Sequence, residues 1–383
     1  MVENHTGAIA NPGDGRFLVL SDMHFGTPES SINDARYNEA LVAHIVARGP
    51  WKEIIFTGDL LDVNLSTLTR AIEGGTWPGL GVPLLGFRGF LEALDRKMRA
   101  SERRIRDLAR RWVYVPGNHD YKMWDMLATK VVCEDVLARG DRMGSVPTPL
   151  GKYVWEDDAS FFSGIFRSLG VQDGIVVAYP NHEVSFGRPG MMVLTHGHYL
   201  DPSQTRGNDL SANFRKATTP EEIAKVNRRI VIETAQYQSL ANAVSFTAGT
   251  RRLVNELVGP EGIGSKLRKM MTRLGGAVLK LLFPREASLR GKYLSLKQLL
   301  NIEYYLVQFC GYAEVPRWFV FGHTHRQGRG KTPRLGVDVY NVGSCYLDRG
   351  MPITFLEIDV SAAGVPTMSL MCVDQDATVK RSR

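Results

Sequence analysis

The chain has 383 residues, 44% hydrophobic and 23% charged, an ordinary globular composition large enough for a full core plus an inserted subdomain. Its four cysteines (Cys133, Cys310, Cys345, Cys372) are scattered, which excludes a disulfide framework or a zinc-thiolate site and suits a reducing compartment. The start lacks a basic stretch followed by an apolar one, and no run of about 18 uncharged apolar residues occurs, so neither a secretory signal nor a membrane-spanning helix is expected.

In chain order, residues 16–21 predict a short buried strand that delivers Asp22, with His24 two residues on. A helix follows over Asp34–Ala47. Glu53–Thr57 predicts a strand leading into Gly58-Asp59. A helical pattern spans Phe87–Arg110, and the strand Arg111–Val115 leads into Gly117-Asn118-His119-Asp120. Asn181-His182 falls at a strand end, where a loop histidine is expected. Met191–Thr195 predicts the strand before His196-Gly197-His198. Residues from about 203 to 309 then break this rhythm. Thr219-Pro220 with Glu221 and Glu222 is a helix start, with helical text to about Ala248, and more over Ile263–Phe283 and Leu294–Tyr312. The strand Arg317–Phe321 leads into Gly322-His323-Thr324-His325. Strands at Val337–Val342, Ile353–Val360 and Thr367–Val373 are expected to complete a second sheet, and Asp374–Arg383 to fray.

Five clusters of metal-type ligands thus lie in order, nearly all just after an apolar strand. Alone, each has a bland reading: Asp-x-His and Gly-Asp are common in turns. Together they supply carboxylates, imidazoles and one amide oxygen, which suit Mn²⁺, Fe²⁺ or Zn²⁺, with Mn²⁺ favoured. Strands alternating with helices argue an α/β fold, and ligands at strand carboxyl ends are where open α/β sheets place their sites. Asp59 is the best candidate to bridge two cations. Such a pair can hold a bridging hydroxide and clamp phosphoryl oxygens, and a nearby unligated His can protonate the leaving oxygen.

These blocks resemble the calcineurin-like metallophosphoesterase family, marked by D-x-H, G-D-x-x-D, G-N-H-[DE], H and G-H-x-H. Here they read Asp22/His24, Gly58–Asp62, Gly117–Asp120, His196 and Gly322–His325, followed by the turn Asn341-Val-Gly-Ser344. The resemblance implies an α/β two-sheet sandwich flanked by helices, and the helical text after motif four reads as an insertion, or lid, between motifs four and five. The catalytic domain would comprise 1–202 and 313–383, and the insertion 203–312. It implies two divalent metal ions: Asp22, His24 and His325 on the first, Asp59 bridging, and Asn118, His196 and His323 on the second. His119 is then the expected general acid, with Asp120 as its orienter. Asp62 is read as a hydrogen-bond anchor and His198 as a candidate substrate contact.

The formal charge of +7 is localised. Between Arg251 and Lys297 there are 11 Lys/Arg against three Glu, so the rest of the chain is near neutral. Over 263–282 the residues Ile263, Leu267, Met270, Met271, Leu274, Val278, Leu281 and Leu282 share one arc of a helix, while Lys266, Arg268, Lys269, Arg273 and Lys280 lie outside it. Such a helix packs on the core, lies on a membrane surface or meets nucleic acid; its Met and Leu content, with few aromatics, favours lipid over nucleic acid. A lid of this kind suits a phosphorylated, lipid-linked substrate, and the architecture resembles the UDP-2,3-diacylglucosamine pyrophosphatase branch. It departs from that branch at His119, where Arg is common, and at His198, where Asp is common. The expected activity is hydrolysis of phosphodiester or pyrophosphate bonds by a cytoplasmic protein at the inner membrane surface. A nuclease or cyclic-nucleotide phosphodiesterase is the rival enzyme, and a degenerate scaffold the non-enzyme rival.

Overall fold

The computed structural model describes residues 15–62, 81–121, 123–124, 153–156, 161–171, 174–201, 210–230, 294–346 and 351–382. Two sheets face each other, each backed by helices. The first has eight strands in the order β13-β12-β11-β1-β2-β3-β5-β4. Its centre is the parallel run β1 (Gly15–Leu20), β2 (Trp51–Thr57), β3 (Ala109–Val115) and β5 (Val176–Tyr179), with β4 (Tyr153–Glu156) antiparallel at one edge. The second has five, ordered β6-β7-β8-β10-β9: β6 (Asn181–Ser185), β7 (Met191–Thr195), β8 (Trp318–Phe321), β10 (Asp338–Asn341) and β9 (Gly328–Lys331). The expected α/β two-sheet sandwich is the observed architecture.

Alternation along each strand decides what it faces. In β1, Leu18 and Leu20 point toward the helices, while Phe17 and Val19 enter the layer between the sheets. There they meet Ile55 and Val113 from the first sheet, and Met192, Leu194 and Val320 from the second. On the first sheet's outer face, α1 (Ala35–Arg48) buries Tyr37, Leu41, Val42, Ile45 and Val46, a single helical stripe. Beside it α2 (Gly81–Arg99) buries Phe87, Phe90, Leu91, Leu94 and Met98. The short α3 (Phe161–Ser168) adds Phe166 to this layer.

The second sheet's outer face carries an aromatic layer. Val193, Phe319 and Phe321 meet Tyr199, Leu210, Phe214, Ile302, Tyr305 and Phe309. These come from the turn after β7, from α4 (Leu210–Phe214) and from α5 (Leu296–Tyr304), which ends in a π-helical turn over Tyr305–Phe309. A further helix over 220–230 contributes Ile230. The described parts of 203–312 are therefore helical and rest on the second sheet. The amphipathic stretch 263–283 lies outside the described residues.

Several boundaries differ from expectation. The second helix ends at Arg99 instead of Arg110, because Glu102 takes a left-handed φ of 58° and Asp95 accepts from the Ile105 N–H at 3.2 Å to start a new turn. Ile105 and Leu108 keep the apolar rhythm without the helix. Of the three late strands expected in the second sheet, only β10 joins it; β11 (Ile353–Val360) and β12 (Pro366–Val373) extend the first, through β11 antiparallel to β1. The tail expected to fray forms β13 (Val379–Arg381), paired with β12 through a turn at Asp374. His182 is no loop residue. It is buried in β6 and donates from Nε2 to Glu53 Oε2 of β2 at 2.8 Å, an ion-pairing contact across the sandwich.

Candidate metal centre

The carboxyl ends of β1, β2, β3, β7 and β8 converge on one cleft. The loops after β1 and β2 run side by side, with Asp22 N–H on Gly58 O at 3.0 Å and His24 N–H on Asp59 O at 2.8 Å. This ladder holds Asp22, His24 and Asp59 in register. Among the described residues, seven non-glycine residues adopt positive φ, and five of them are Asp22, His24, Asp59, His323 and His325. Such conformations cluster where function imposes them. Two glycines make room. A Cβ on Gly58 would stand 2.2 Å from His196 Nδ1, and one on Gly117 would stand 2.3 Å from Asp59 Oδ1.

Among the described residues three groups could hold an ion: one joins His24, Asp62 and His119, and the other two share Asp59. Asp22, His24, Asp59 and His325 bring ligand atoms together on one side; Asp59, His196 and His323 do so on the other. Asp59 Oδ2 lies 3.3 Å from His196 Nε2 and 3.8 Å from His24 Nε2, while Oδ1 accepts from the His119 N–H at 2.8 Å. Asn118 Oδ1 lies 2.9 Å from His196 Nε2. His24 Nε2 faces His325 Nε2 at 3.3 Å, and His323 Nδ1 faces His196 Nε2 at 3.2 Å. Two nitrogens on one ion at the usual ~2.1 Å stand roughly 3.0–3.4 Å apart, so this spacing fits coordination. Asp22 Oδ2 accepts from the His323 N–H at 3.0 Å, whereas the buried Oδ1 has no hydrogen-bond partner and lies 3.2 Å from His325 Nε2. An orphaned carboxylate oxygen aimed at facing imidazoles is what a hard divalent ion would satisfy.

Electrostatics are strongly coupled. Burial pushes the Asp59 carboxyl up, but the imidazoles of His196 and His119 outweigh it and hold it well below the usual carboxylate range. Burial and the neighbouring His119 lower His24 to about 4, which leaves it a neutral ligand at pH 7. Burial opposes the charge on His196, but Asp59 and Asp22 raise it to about 9. Its Nδ1 donates to Thr57 O at 3.0 Å, so Nε2 is the nitrogen turned to Asn118 and Asp59.

His119 stands at the edge of the cleft, its side chain 36% exposed and its ring 4.8 Å from that of His24. Its orienter differs from the expected one. His119 Nδ1 donates to Asp62 Oδ1 at 3.1 Å. Asp120 instead anchors backbone: Oδ2 accepts from Leu60 N–H at 2.8 Å and Leu61 N–H at 3.3 Å, and Oδ1 from Gly117 N–H at 2.6 Å. Burial and Asp59 raise Asp120 to about 6. Burial disfavours the charged His119, but Asp59 and Asp62 outweigh it and raise the imidazole to about 10.

His198, the candidate substrate contact, is 1% exposed and sits behind the cleft, its Nε2 3.4 Å from the Tyr179 hydroxyl and its ring against Tyr199. Two residues at the cleft stand outside the expected set: Asp201, which lies near the fourth motif in sequence but is not relied on, and Tyr346. Asp201 Oδ2 accepts from His323 Nε2 at 3.0 Å. Tyr346 stacks on His325 with ring centroids 4.9 Å apart and meets His24 edge-on at 4.7 Å. Asp201 carried a signal, being an acid five residues after a candidate ligand histidine; Tyr346 carried none.

A two-sheet α/β sandwich with clustered carboxylates and imidazoles at its strand ends defines a metallohydrolase. The family model described as calcineurin-like phosphoesterase matches residues 15–229, more than half of the chain, and the chain belongs to that family of phosphate-ester hydrolases. Solved structures similar to it include a dimetal phosphatase from Danio rerio, at 10% identity and TM-score 0.37, covering 96% of this chain and 98% of that one. Another is Vps29 from Entamoeba histolytica complexed with zinc, at 11% identity and TM-score 0.31, covering 96% and 97%. No curated protein matches the chain. Among the described residues, no helix is long and apolar enough to cross a membrane.

Proposed function

We propose that this protein is a binuclear hydrolase of phosphodiester or pyrophosphate bonds, acting on an amphiphilic, lipid-linked substrate. The observation that carries the binuclear reading is Asp59, common to two ligand groups, with Oδ2 3.8 Å from His24 Nε2 and 3.3 Å from His196 Nε2. Asp22, His24 and His325 would hold one divalent ion, Asn118, His196 and His323 the other, with Asp59 between them. Mn²⁺ is favoured for this oxygen and imidazole set. When bound, the ions would polarise the phosphoryl oxygens and make a water nucleophilic near neutral pH.

The chain's own residues complete the chemistry. His119, protonated at neutral pH, gives its proton to the departing oxygen. Asp62 holds the ring through Nδ1, leaving Nε2 for the substrate. Asp120 keeps the loops after β2 and β3 together, so that Asp59 and His119 hold their separation. The lipid preference rests on the cationic amphipathic sequence at 263–282 beside a phosphate-cleaving site. With it goes an assignment to the cytoplasmic face of the membrane, in keeping with the buried thiols of Cys345 and Cys372, which form no disulfide.

The test is hydrolysis by metal-stripped protein, reloaded with Mn²⁺, of bis(p-nitrophenyl) phosphate, p-nitrophenyl phosphate, oligonucleotides and a lipid-linked pyrophosphate. Turnover of the diester and the lipid substrate is expected. Turnover of monoesters alone would overturn the diester and pyrophosphate reading; preference for oligonucleotides would replace the lipid with nucleic acid.

A further inference from the structure

Metal-binding imidazoles need a defined tautomer and a fixed ring plane, and an acceptor at the remote nitrogen supplies both. His196 has the Thr57 carbonyl for this purpose, an acceptor built into β2. Among the described residues, the His323 ring meets no backbone carbonyl. The residue adopts a left-handed φ of 66°, and its remote nitrogen reaches instead to Asp201, 122 positions earlier in the chain.

Asp201 is itself held from outside the cleft. It follows the 3-10 turn His198–Leu200, whose last carbonyl accepts from Asn301 Nδ2 at 3.4 Å. Asn301 is buried in α5, and its Oδ1 accepts from the Ser211 N–H of α4 at 3.3 Å. One amide thus ties two helices of the outer layer to the turn that carries Asp201. Tyr199, in the same turn, is buried against Phe309 with ring centroids 5.0 Å apart, which blocks rotation of the turn.

We propose that Asp201 is a positioning residue for the second ion, fixing the tautomer and plane of His323, and that Asn301 carries its placement to the outer helical layer. The inference rests on the binuclear reading above. Ion affinity at the His196–His323 position then depends on helices that touch neither ion nor substrate. Packing of the outer layer and ion occupancy become coupled.

The experiment is Mn²⁺ titration of metal-stripped full-length protein, followed by calorimetry and by electron paramagnetic resonance of free Mn²⁺. Asp201→Ala is expected to weaken one of two ions by about 10–100-fold and leave the other unchanged. Asp201→Asn, whose amide oxygen still accepts, should recover part of that loss. Asn301→Ala should weaken the same ion to a smaller extent. Nitrogen NMR of the imidazoles should show the His323 Nε2–H tautomer in wild type and a mixed population in Asp201→Ala. Two-ion binding in wild type with unchanged affinity in Asp201→Ala would overturn the Asp201 inference alone. Equal weakening of both ions would overturn it too, since that marks general loss of structure. Wild-type protein that binds no ion overturns the binuclear reading beneath it.

Discussion

His119→Ala separates proton donation from every other role this histidine could play. The side chain stands at the cleft edge, held by Asp62 at 3.1 Å, and its proton is in place at neutral pH because Asp59 and Asp62 outweigh burial and raise it to about 10. A positioned general acid contributes about 10²–10⁴ in rate, or about 2.7–5.4 kcal/mol at ~1.36 kcal/mol per decade. That contribution is needed only when the departing oxygen is strongly basic. An alkoxide cannot leave without a proton, whereas a nitrophenolate can. The assay is therefore kcat at saturating Mn²⁺ on bis(p-nitrophenyl) phosphate and on a glycerophosphodiester, with metal content measured in parallel. We expect a loss of about 100-fold or more on the alkyl substrate and less than about tenfold on the aryl one. Bound metal should be unchanged, because His119 hydrogen-bonds Asp59 through its backbone N–H, which alanine keeps. Asp62→Asn should show the same pattern with smaller losses. Equal losses on both substrates would refute the acid role and leave His119 as a phosphate contact.

Gly58→Ala should abolish metal binding at the His196 position, since the new Cβ would stand 2.2 Å from His196 Nδ1 and the residue sits at φ 82°; elemental analysis of purified protein checks this. Glu53→Gln should cost about 3 kcal/mol of stability near neutral pH by leaving His182 and Arg111 without their buried anion. Burial raises the Glu53 carboxyl, but His182 and Arg111 hold it below its ordinary 4.5. Its stabilisation is thus present above that value and lost as pH falls through the lowered one. The gap between urea melts of wild type and variant should be constant above about pH 4.5 and narrow progressively below it, and a gap that never narrows would count against the pairing. Deleting 260–285 should abolish sedimentation with anionic vesicles while hydrolysis of small chromogenic esters persists; retained sedimentation would place the membrane contact elsewhere.

What could be seen in the sequence was whatever chemistry and periodicity carry locally. Asp22, Asp59 and His196 were visible because each follows an apolar run and stands beside a glycine or a second ligand. The strands that deliver them were visible for the same reason. Contacts made through space were not. Nothing near Glu53 announces that it meets His182, because both sit in strands whose alternation looks apolar and the pairing depends on how two sheets stack. The exchange of Asp120 for Asp62 as the partner of His119 has a similar origin. Asp120 is the neighbour in sequence, but the tight turn aims its oxygens at the Gly117, Leu60 and Leu61 amides, and the loop after β2 brings Asp62 to the ring instead. Sheet membership of β11 and β12 was hidden too, since an apolar run of eight residues states that it is buried and not which edge it extends.

The cleft by itself opposes folding, which yields a further measurable outcome. Asp22, His24, Asp59, His323 and His325 all hold left-handed backbone, at about 1–3 kcal/mol each. Asp22 Oδ1 is buried with no hydrogen-bond partner, and two pairs of imidazole nitrogens face each other at 3.2 and 3.3 Å. These costs together approach the ~5–15 kcal/mol by which a domain is stable at all. A cation at each position gives the orphaned oxygen and the facing nitrogens a partner. An ion present at 1,000 times its Kd adds about 4.1 kcal/mol, so two add about 8. With ~2 °C per kcal/mol for a chain of this size, Mn²⁺ should raise the melting temperature of metal-stripped protein by roughly 15 °C. Asp59→Asn, which removes the shared carboxylate that His196 and His119 lean on, should melt no higher than stripped wild type and gain far less on adding Mn²⁺. Scanning calorimetry with and without a chelator gives both numbers. Wild-type melting that ignores Mn²⁺ and chelator alike would mean that the strained loops are held by packing alone, and the account of the cleft as an ion-stabilised site would be wrong.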